Sequence, residues 1–268
     1  WIGGIGIIAF AIVILPFLRI GGMQLFQTES SDKSEKVMPK TFDLIVSIML
    51  VYCLLTLACI ITYYVLGMEM FDAINHALTT IPTGGYSTHD ASFGFYQQPA
   101  LQYAGAFFML AGSIPFVLYI KAFYQGKKNF FKDEQFTAFV YLFLFLVAVL
   151  TLWLWTQTGL DLATSLRHST FNIASVISTT GFATTDYTLW GPFAVTFFLF
   201  ITYLGGCSGS TAGGIKTMRI VILAKILIRQ LKSLILPHAV FSVRYQGLTI
   251  SNSLALTVMG FIGLYVVC

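Results

Sequence analysis

Two short stretches about 100 positions apart repeat one another, and such self-similarity obliges a chain to build the same local structure twice. They are Thr83-Gly84-Gly85-Tyr86-Ser87-Thr88-His89-Asp90 and Thr179-Thr180-Gly181-Phe182-Ala183-Thr184-Thr185-Asp186. Thr, Gly, Thr and Asp recur in register, and an aromatic follows the Gly both times. Each copy comes after a short apolar segment, 70–82 or 162–178, and before a long one. A helix needs about 20 residues to cross roughly 30 Å of hydrocarbon, so the short segments are predicted to be re-entrant half-helices. The doubled pattern thus predicts membrane helix, half-helix, hairpin loop and membrane helix, twice over.

The composition agrees with a bilayer as solvent. Apolar residues make up 57% of the chain and charged residues 10%, where a soluble domain carries about 25% charged residues. Long apolar runs predict spans over 1–26, 43–67, 98–124, 136–157, 190–205 and 248–268. The fifth runs into Gly205-Gly206-Cys207-Ser208-Gly209-Ser210-Thr211-Ala212-Gly213-Gly214 before an apolar helix resumes over 215–236. Five glycines in ten residues predict a helix broken inside the membrane, tolerated only where the irregular backbone is buried in protein or lines a watery cavity. The cysteines, Cys53, Cys59, Cys207 and Cys268, show no CxxC spacing and read as small packing residues. Trp1 and Cys268 each stand inside a Gly-rich apolar segment, which predicts an internal part of a longer protein.

Charge gives the orientation. Fourteen of the fifteen Lys and Arg fall in three zones, Arg19 to Lys40, Lys121 to Lys132 and Lys216 to Arg244. These share one face under the predicted topology, and the positive-inside rule makes that face cytoplasmic. The other face holds Glu69, Asp72, Asp90, Asp161 and Asp186 against Arg167. The repeated loops therefore open outward into an acidic mouth that would concentrate cations, an effect weakened by salt.

A dehydrated alkali cation must exchange its water shell for oxygen dipoles, and backbone carbonyls supply these where several loops converge on one axis. Gly84, Gly85 and Gly181 suit such loops because glycine accepts positive φ and lets neighbouring carbonyls turn toward an ion. Thr83, Thr179 and Thr180 can add hydroxyl oxygens. Each half-helix would aim its partially negative C-terminal end at the pore centre, and Pro82 fits as the stop of the first. Asp90 and Asp186 are expected either to brace the loops through backbone N–H groups or to face the mouth.

Three stretches, IPTGGYSTHDASFG (81–94), STTGFATTDY (178–187) and GGCSGSTAGGIKTMRI (205–220), together with WIGGIG (1–6) and IGGMQLF (20–26), resemble the TrkH/TrkG branch of the Trk/Ktr/HKT superfamily of potassium transporters. The resemblance covers essentially the whole chain. It implies an all-α membrane protein of repeated M1–P–M2 potassium-channel-like units with re-entrant pore helices, forming a pseudo-fourfold pore within one chain. Residues 1–26 would be the second helix of the first unit. Residues 43–124 would be the second unit with filter loop 83–90, 136–236 the third with filter loop 179–186, and 248–268 the start of the fourth.

The resemblance further implies an intramembrane gating loop at 205–214, with Gly205, Gly206, Ser208, Gly209, Ser210, Thr211, Gly213, Gly214 and the following Lys216. It implies K+ as the ion at Thr83, Gly84, Gly85, Thr179, Thr180 and Gly181, no cofactor, and no enzymatic activity. Expected partners are a cytosolic RCK-type, nucleotide-binding regulatory ring, a second copy in a homodimer and the lipid of a bacterial inner membrane, but no nucleic acid. The first and fourth filter loops of such a protein fall outside these 268 residues.

Competing readings follow from the same residues. A Na+-coupled or Na+-permeable relative would share these motifs. A membrane scaffold or enzyme could use the glycines only for close helix packing, although intramembrane catalysis calls for ionisable residues at mid-span, and the spans are nearly free of them. The run from Gly209 to Thr217 approaches a nucleotide P-loop, but Ile215 separates the Gly from the Lys. GCSGS lacks the final Gly of a nucleophile elbow. His76, His89, His168 and His238 lack metal-site spacing, and His76 reads as a packed or hydrogen-bonded residue of the pore helix. Lys225, Arg229 and Lys232 share one helical face, suited to phospholipid headgroups or to the implied ring.

Overall fold

The computed structural model describes residues 1–6, 41–125, 130–236 and 241–267. The span expected over 1–26 lies outside these residues beyond position 6, as do IGGMQLF (20–26), His238 and Cys268.

Among the described residues, 2–6 are helical, and the bounded helices run in chain order as α1 (Thr41–Val65), α2 (Met70–Thr80), α3 (Pro99–Gly112), α4 (Phe116–Gln125), α5 (Glu134–Gln157), α6 (Leu162–Ile177), α7 (Pro192–Thr202), α8 (Thr217–Ile235) and α9 (Asn252–Val267). Short 3-10 turns at Ser92–Phe95, Phe130–Lys132 and Tyr187–Trp190 join some of them. Strands β1 (Arg244–Tyr245) and β2 (Leu248–Thr249) pair as an antiparallel hairpin between α8 and α9.

Local chemistry sets these boundaries. Asp133 accepts the Phe136 N–H at 2.9 Å and Asp161 the Thr164 N–H at 3.1 Å, each carboxylate satisfying a free donor in a helix's first turn. Pro99 and Pro192 open α3 and α7, where the missing N–H costs nothing. Asp43–Val65 and Glu134–Gln157 are long and apolar enough to cross a membrane. Their exposed faces carry Leu50, Leu54, Leu57 and Ile61 on α1 and Leu144, Phe145 and Leu152 on α5, the surface that lipid tails require.

The span expected over 98–124 is not straight: α3 and the helix that follows it meet at 92°. Pro115 has no N–H and bars the residue before it from helical geometry. The carbonyls freed at the break find partners in the glycine-rich stretch. Cys207 donates its N–H to Ser113 O at 2.9 Å, Thr211 its N–H to Gly112 O at 3.3 Å, and Phe116 its N–H to Gly209 O at 3.1 Å. Break and loop cap each other.

Half-helix α2 packs on α1, and α6 lies against both α5 and α3, while α8 rests on α9 and α5. One core gathers Tyr52, Tyr63, Phe93, Phe116, Phe139 and Phe171; a second joins Met218, Ile222 and Ile226 of α8 to Tyr245 and Val258. Between apolar helices in lipid the drive is close contact, not removal from water. Gly105 supplies it on α3, where a methyl group would come within 2.9 Å of the Phe93 ring and 3.0 Å of Phe171. Cys59 and Cys207 are buried as packing residues, whereas Cys53 is exposed on the lipid-facing side of α1, contrary to the packing role expected of it.

Candidate functional site

The sequence repeat is a repeat of conformation. At the end of α2 the Thr79 carbonyl accepts two N–H groups, from Gly84 at 2.7 Å and Gly85 at 3.2 Å; at the end of α6 the Ser175 carbonyl accepts those of Thr180 at 2.9 Å and Gly181 at 3.4 Å. Thr83 N–H bonds Thr80 O and Thr179 N–H bonds Val176 O. Every member of the second set stands 96 positions after its counterpart. Thr83 and Thr179 share a left-handed backbone, φ 55 and 58, and Gly85 and Gly181 follow at φ 68 and 90. Threonine in this region is strained by about 1–2 kcal/mol, so two threonines held there in register signal a turn that the surrounding bonds impose. Both half-helices point their C-terminal ends at these turns, which places partially negative ends there.

The two turns also touch. A side chain on Gly85 would collide with the Thr180 carbonyl, and one on Gly94 would come within 2.6 Å of Thr184 O. Gly94 donates its N–H to Ala183 O at 2.9 Å and Ser92 accepts the Ala183 N–H at 3.2 Å, so the segment after the first hairpin straps the second. Thr83, Gly84, Gly85, Thr179, Thr180 and Gly181 are thereby brought to one place.

Their hydroxyls are already engaged. Thr83 donates to Pro82 O at 2.7 Å or to Thr211 O at 3.1 Å, Thr179 accepts the Gly213 N–H at 2.6 Å, and Thr180 pairs with Ser178 at 2.6 Å. Each hydroxyl is thus held in place by a protein partner, while a donating hydroxyl keeps lone pairs on its oxygen.

The acids of the expected mouth divide. Asp90 and Asp186 are exposed, and Asp186 takes the bracing option, accepting the Thr188 hydroxyl at 2.6 Å and N–H at 2.9 Å, bonds that hold its carboxyl below the usual range. Asp72, expected in the open mouth, is buried behind the first hairpin. It accepts hydrogen bonds from Thr88 and Tyr96 at 2.7 Å and pairs with His89 at 2.9 Å. Burial pushes its carboxyl up, but the bonds from Tyr96, His89 and Thr88 outweigh that and bring it down to about 2. His76 is buried beside it, bonded to Asp72 O at 2.8 Å and Ser87 Oγ at 2.9 Å, in agreement with its reading as a packed, hydrogen-bonded residue. No group of three metal-ligating side chains forms among the described residues.

The glycine-rich stretch lies against both turns. Its neck is closed: Leu204 and Ile215 pair as a parallel bridge, Gly205 N–H bonds Ile215 O at 3.0 Å and Thr217 N–H bonds Gly206 O at 3.1 Å. Side chains on Gly205 or Gly214 would strike the opposite backbone. From the head of the loop, Thr211 donates its hydroxyl to Ile81 O at 2.8 Å or Gly112 O at 3.0 Å, and Ser210 its hydroxyl to Cys207 O at 2.6 Å. Ser208 N–H goes to the Gln135 side chain at 2.5 Å, and Lys216 donates to Ala212 O. The helix beyond resumes at Thr217, two residues later than expected. Of the basic face, Lys225 is turned inward to Glu134. Neither Gln135 nor the Pro115 break was expected to matter; the Gly-Ser-Ile-Pro run at 112–115 was the available signal for the break.

Paired half-helices ending in left-handed Thr-Gly turns over an irregular loop, among helices that can cross a membrane, define an all-α membrane transport fold. The TrkH family profile, described as a cation transport protein, matches residues 1–268. The chain is 44% identical to the Trk system potassium uptake protein TrkI of Halomonas elongata over 97% of its own length and 53% of that protein's. It is 35% identical to TrkH of Escherichia coli over 99% and 56%. The crystal structure of the potassium transporter TrkH from Vibrio parahaemolyticus covers all of the chain with a TM-score of 0.87 at 34% identity, the chain accounting for 55% of it. The chain belongs to the TrkH family, whose members are transporters and not enzymes. It spans about half the length of the curated relatives it matches.

Proposed function

We propose that the protein takes up K+ across a bacterial inner membrane through a pore to which this chain contributes two of four filter hairpins. Residues 43–124 and 136–236 each form one M1–P–M2 unit, while 1–26 and 248–268 belong to the first and fourth. Carbonyls of the turns at 83–85 and 179–181 replace the ion's water, Asp90 and Asp186 stand at the mouth, and the loop at 205–214 with Lys216 gates the path. A homodimer and a cytosolic RCK-type ring complete the assembly. The Trk potassium uptake proteins among its relatives support the ion assignment.

One observation carries the closed arrangement of four filter hairpins. The hairpins meet through unlike surfaces: Gly85 of the first lies on Thr180 of the second, and Phe182 of the second lies 5.8 Å from His76 and 5.2 Å from Phe93 of the first. Head-to-tail contacts of this kind close into rings when the rotation allows. The matching surfaces at the two ends are uncovered: Gly181 has open space where Gly85 has Thr180, and Tyr86 is 78% exposed where Phe182 is 3% exposed.

The test uses the full-length protein, in a host lacking its own K+ uptake and in liposomes. Growth at low K+ is expected, with K+ flux exceeding Na+ flux. Deleting Ser208 to Gly213 is expected to raise basal flux and blunt regulation by the ring. Equal K+ and Na+ flux overturns the filter, and a folded deletion with unchanged flux overturns the gate.

A further inference from the structure

We propose that Gln135 is a positioning residue for the glycine loop and that, together with Asp133 and Glu134, it ties the loop to α8 and to the β-hairpin on the basic face. The tie rests on the gate reading for its functional meaning, while its geometry stands apart from it. Successive residues at a helix start are rotated by about 100° about the axis, so three in a row address three directions. Here each direction holds a different element.

Gln135 is 2% exposed, and its side-chain oxygen accepts the Ser208 N–H at 2.5 Å. Its backbone carbonyl faces the Cys207 sulfur at 4.0 Å, and Cys207 is fully buried. Glu134 pairs with Lys225 of α8, whose ammonium also donates to Arg244 O at 2.8 Å and lies 5.8 Å from the Tyr245 ring centre. Asp133 divides its carboxylate, one oxygen capping Phe136 N–H and the other accepting the Gln246 side-chain amide at 2.8 Å. The head of the loop, the helix leaving it and the hairpin beyond are thus held by one short segment.

The links differ in strength. The Glu134–Lys225 pair is about a third exposed on both sides, 34% and 36%, so solvent screens most of it. The Gln135–Ser208 bond is buried, and removing the acceptor leaves an amide without a partner. The loop's position is therefore set mainly by Gln135 and adjusted by Glu134. If Gln135 served only to satisfy one amide, changes at Glu134 would not reach the loop.

Cys207 reports the loop's position directly. In the full-length protein with its other cysteines replaced, maleimide labelling of Cys207 would be measured beside basal K+ flux in liposomes. Gln135→Met, similar in length but without the oxygen, is expected to speed labelling on the order of tenfold. Glu134→Gln is expected to speed it about two- to threefold. Gln135→Glu, which burial keeps neutral and which retains an acceptor at the same reach, should return labelling toward the wild-type rate. Unchanged labelling in a folded Gln135→Met protein overturns the proposal. Should that variant not fold, unchanged labelling in Glu134→Gln overturns the link to α8. Faster labelling with unchanged flux upholds the tie and overturns the gate, so the two failures are read apart.

Discussion

Thr79 and Ser175 have the same role in the two hairpins, each hydroxyl bonding the carbonyl of the aromatic seven residues on, at 2.7 and 2.6 Å. Asp72 and His168, also 96 positions apart, do not. Asp72 gathers Thr88, His89 and Tyr96 around a carboxylate, whereas the His168 ring bonds the Thr184 hydroxyl at 3.4 Å, which Asn172 also reaches at 2.9 Å, and packs against Trp190. The turns are alike in the local bonds that close them, backbone and hydroxyl, and differ where a more distant side chain braces them from behind. A turn geometry set by local hydrogen bonds leaves its support free to change, with an anionic brace in one copy and a neutral one in the other.

The largest effect lies at the two turn glycines. Gly85→Val drives a side chain into the Thr180 backbone, and Gly181→Val has open space in this chain. In the full-length protein a following hairpin would cover Gly181 as Thr180 covers Gly85. Both variants are then expected to lose K+ uptake on the order of 100-fold, since a side chain at positive φ in a packed turn costs about 3 kcal/mol. A Gly181→Val protein that transports normally would break the head-to-tail arrangement.

Next comes the brace. Asp72→Ala leaves three donors unpaired and is expected to cost about 2–4 kcal/mol of stability, against about 1 kcal/mol for His168→Ala, by denaturant unfolding in detergent. Acid sharpens the contrast. A carboxyl held at about 2, against 3.8 when free, stabilises the fold above pH 4, and that contribution falls away as pH drops from about 4 to 2. Thermal midpoints over this range should fall more steeply in wild type than in Asp72→Asn; parallel curves would remove Asp72 as the brace.

The smallest effect lies where the hairpins agree. Thr79→Val and Ser175→Ala each remove one hydroxyl bond and should each cost about 1 kcal/mol. Unequal costs, read by the same unfolding measurement, would show that the tips are supported differently despite their shared geometry.

The repeat was legible because glycine and threonine in register report backbone shape, which is local. The α1 and α5 spans were legible because apolar length alone decides them. Pro115 was harder: a proline inside a long apolar run is compatible with a kinked span, and the 92° turn depends on Cys207 and Thr211, some 90 residues later, arriving to cap the freed carbonyls. Asp72 looked like a mouth residue because sequence gives its side of the membrane and not its depth. Gln135 gave no signal, since a single glutamine at a helix start has meaning only through the amide that reaches it from residue 208.

The closed neck at Leu204 and Ile215 bears on how such proteins can diverge. A loop that leaves and returns at one point does not set the spacing of the helices beside it, and the entropy of closing it changes slowly with length. Insertions and deletions in its head would leave α7 and α8 where they are. What limits them is the cap on the Gly112 and Ser113 carbonyls together with the bonds of Ser208 to Gln135, Thr211 to Thr83 and Gly213 to Thr179, so variation between relatives should fall in length added between these anchors and not at the anchors themselves.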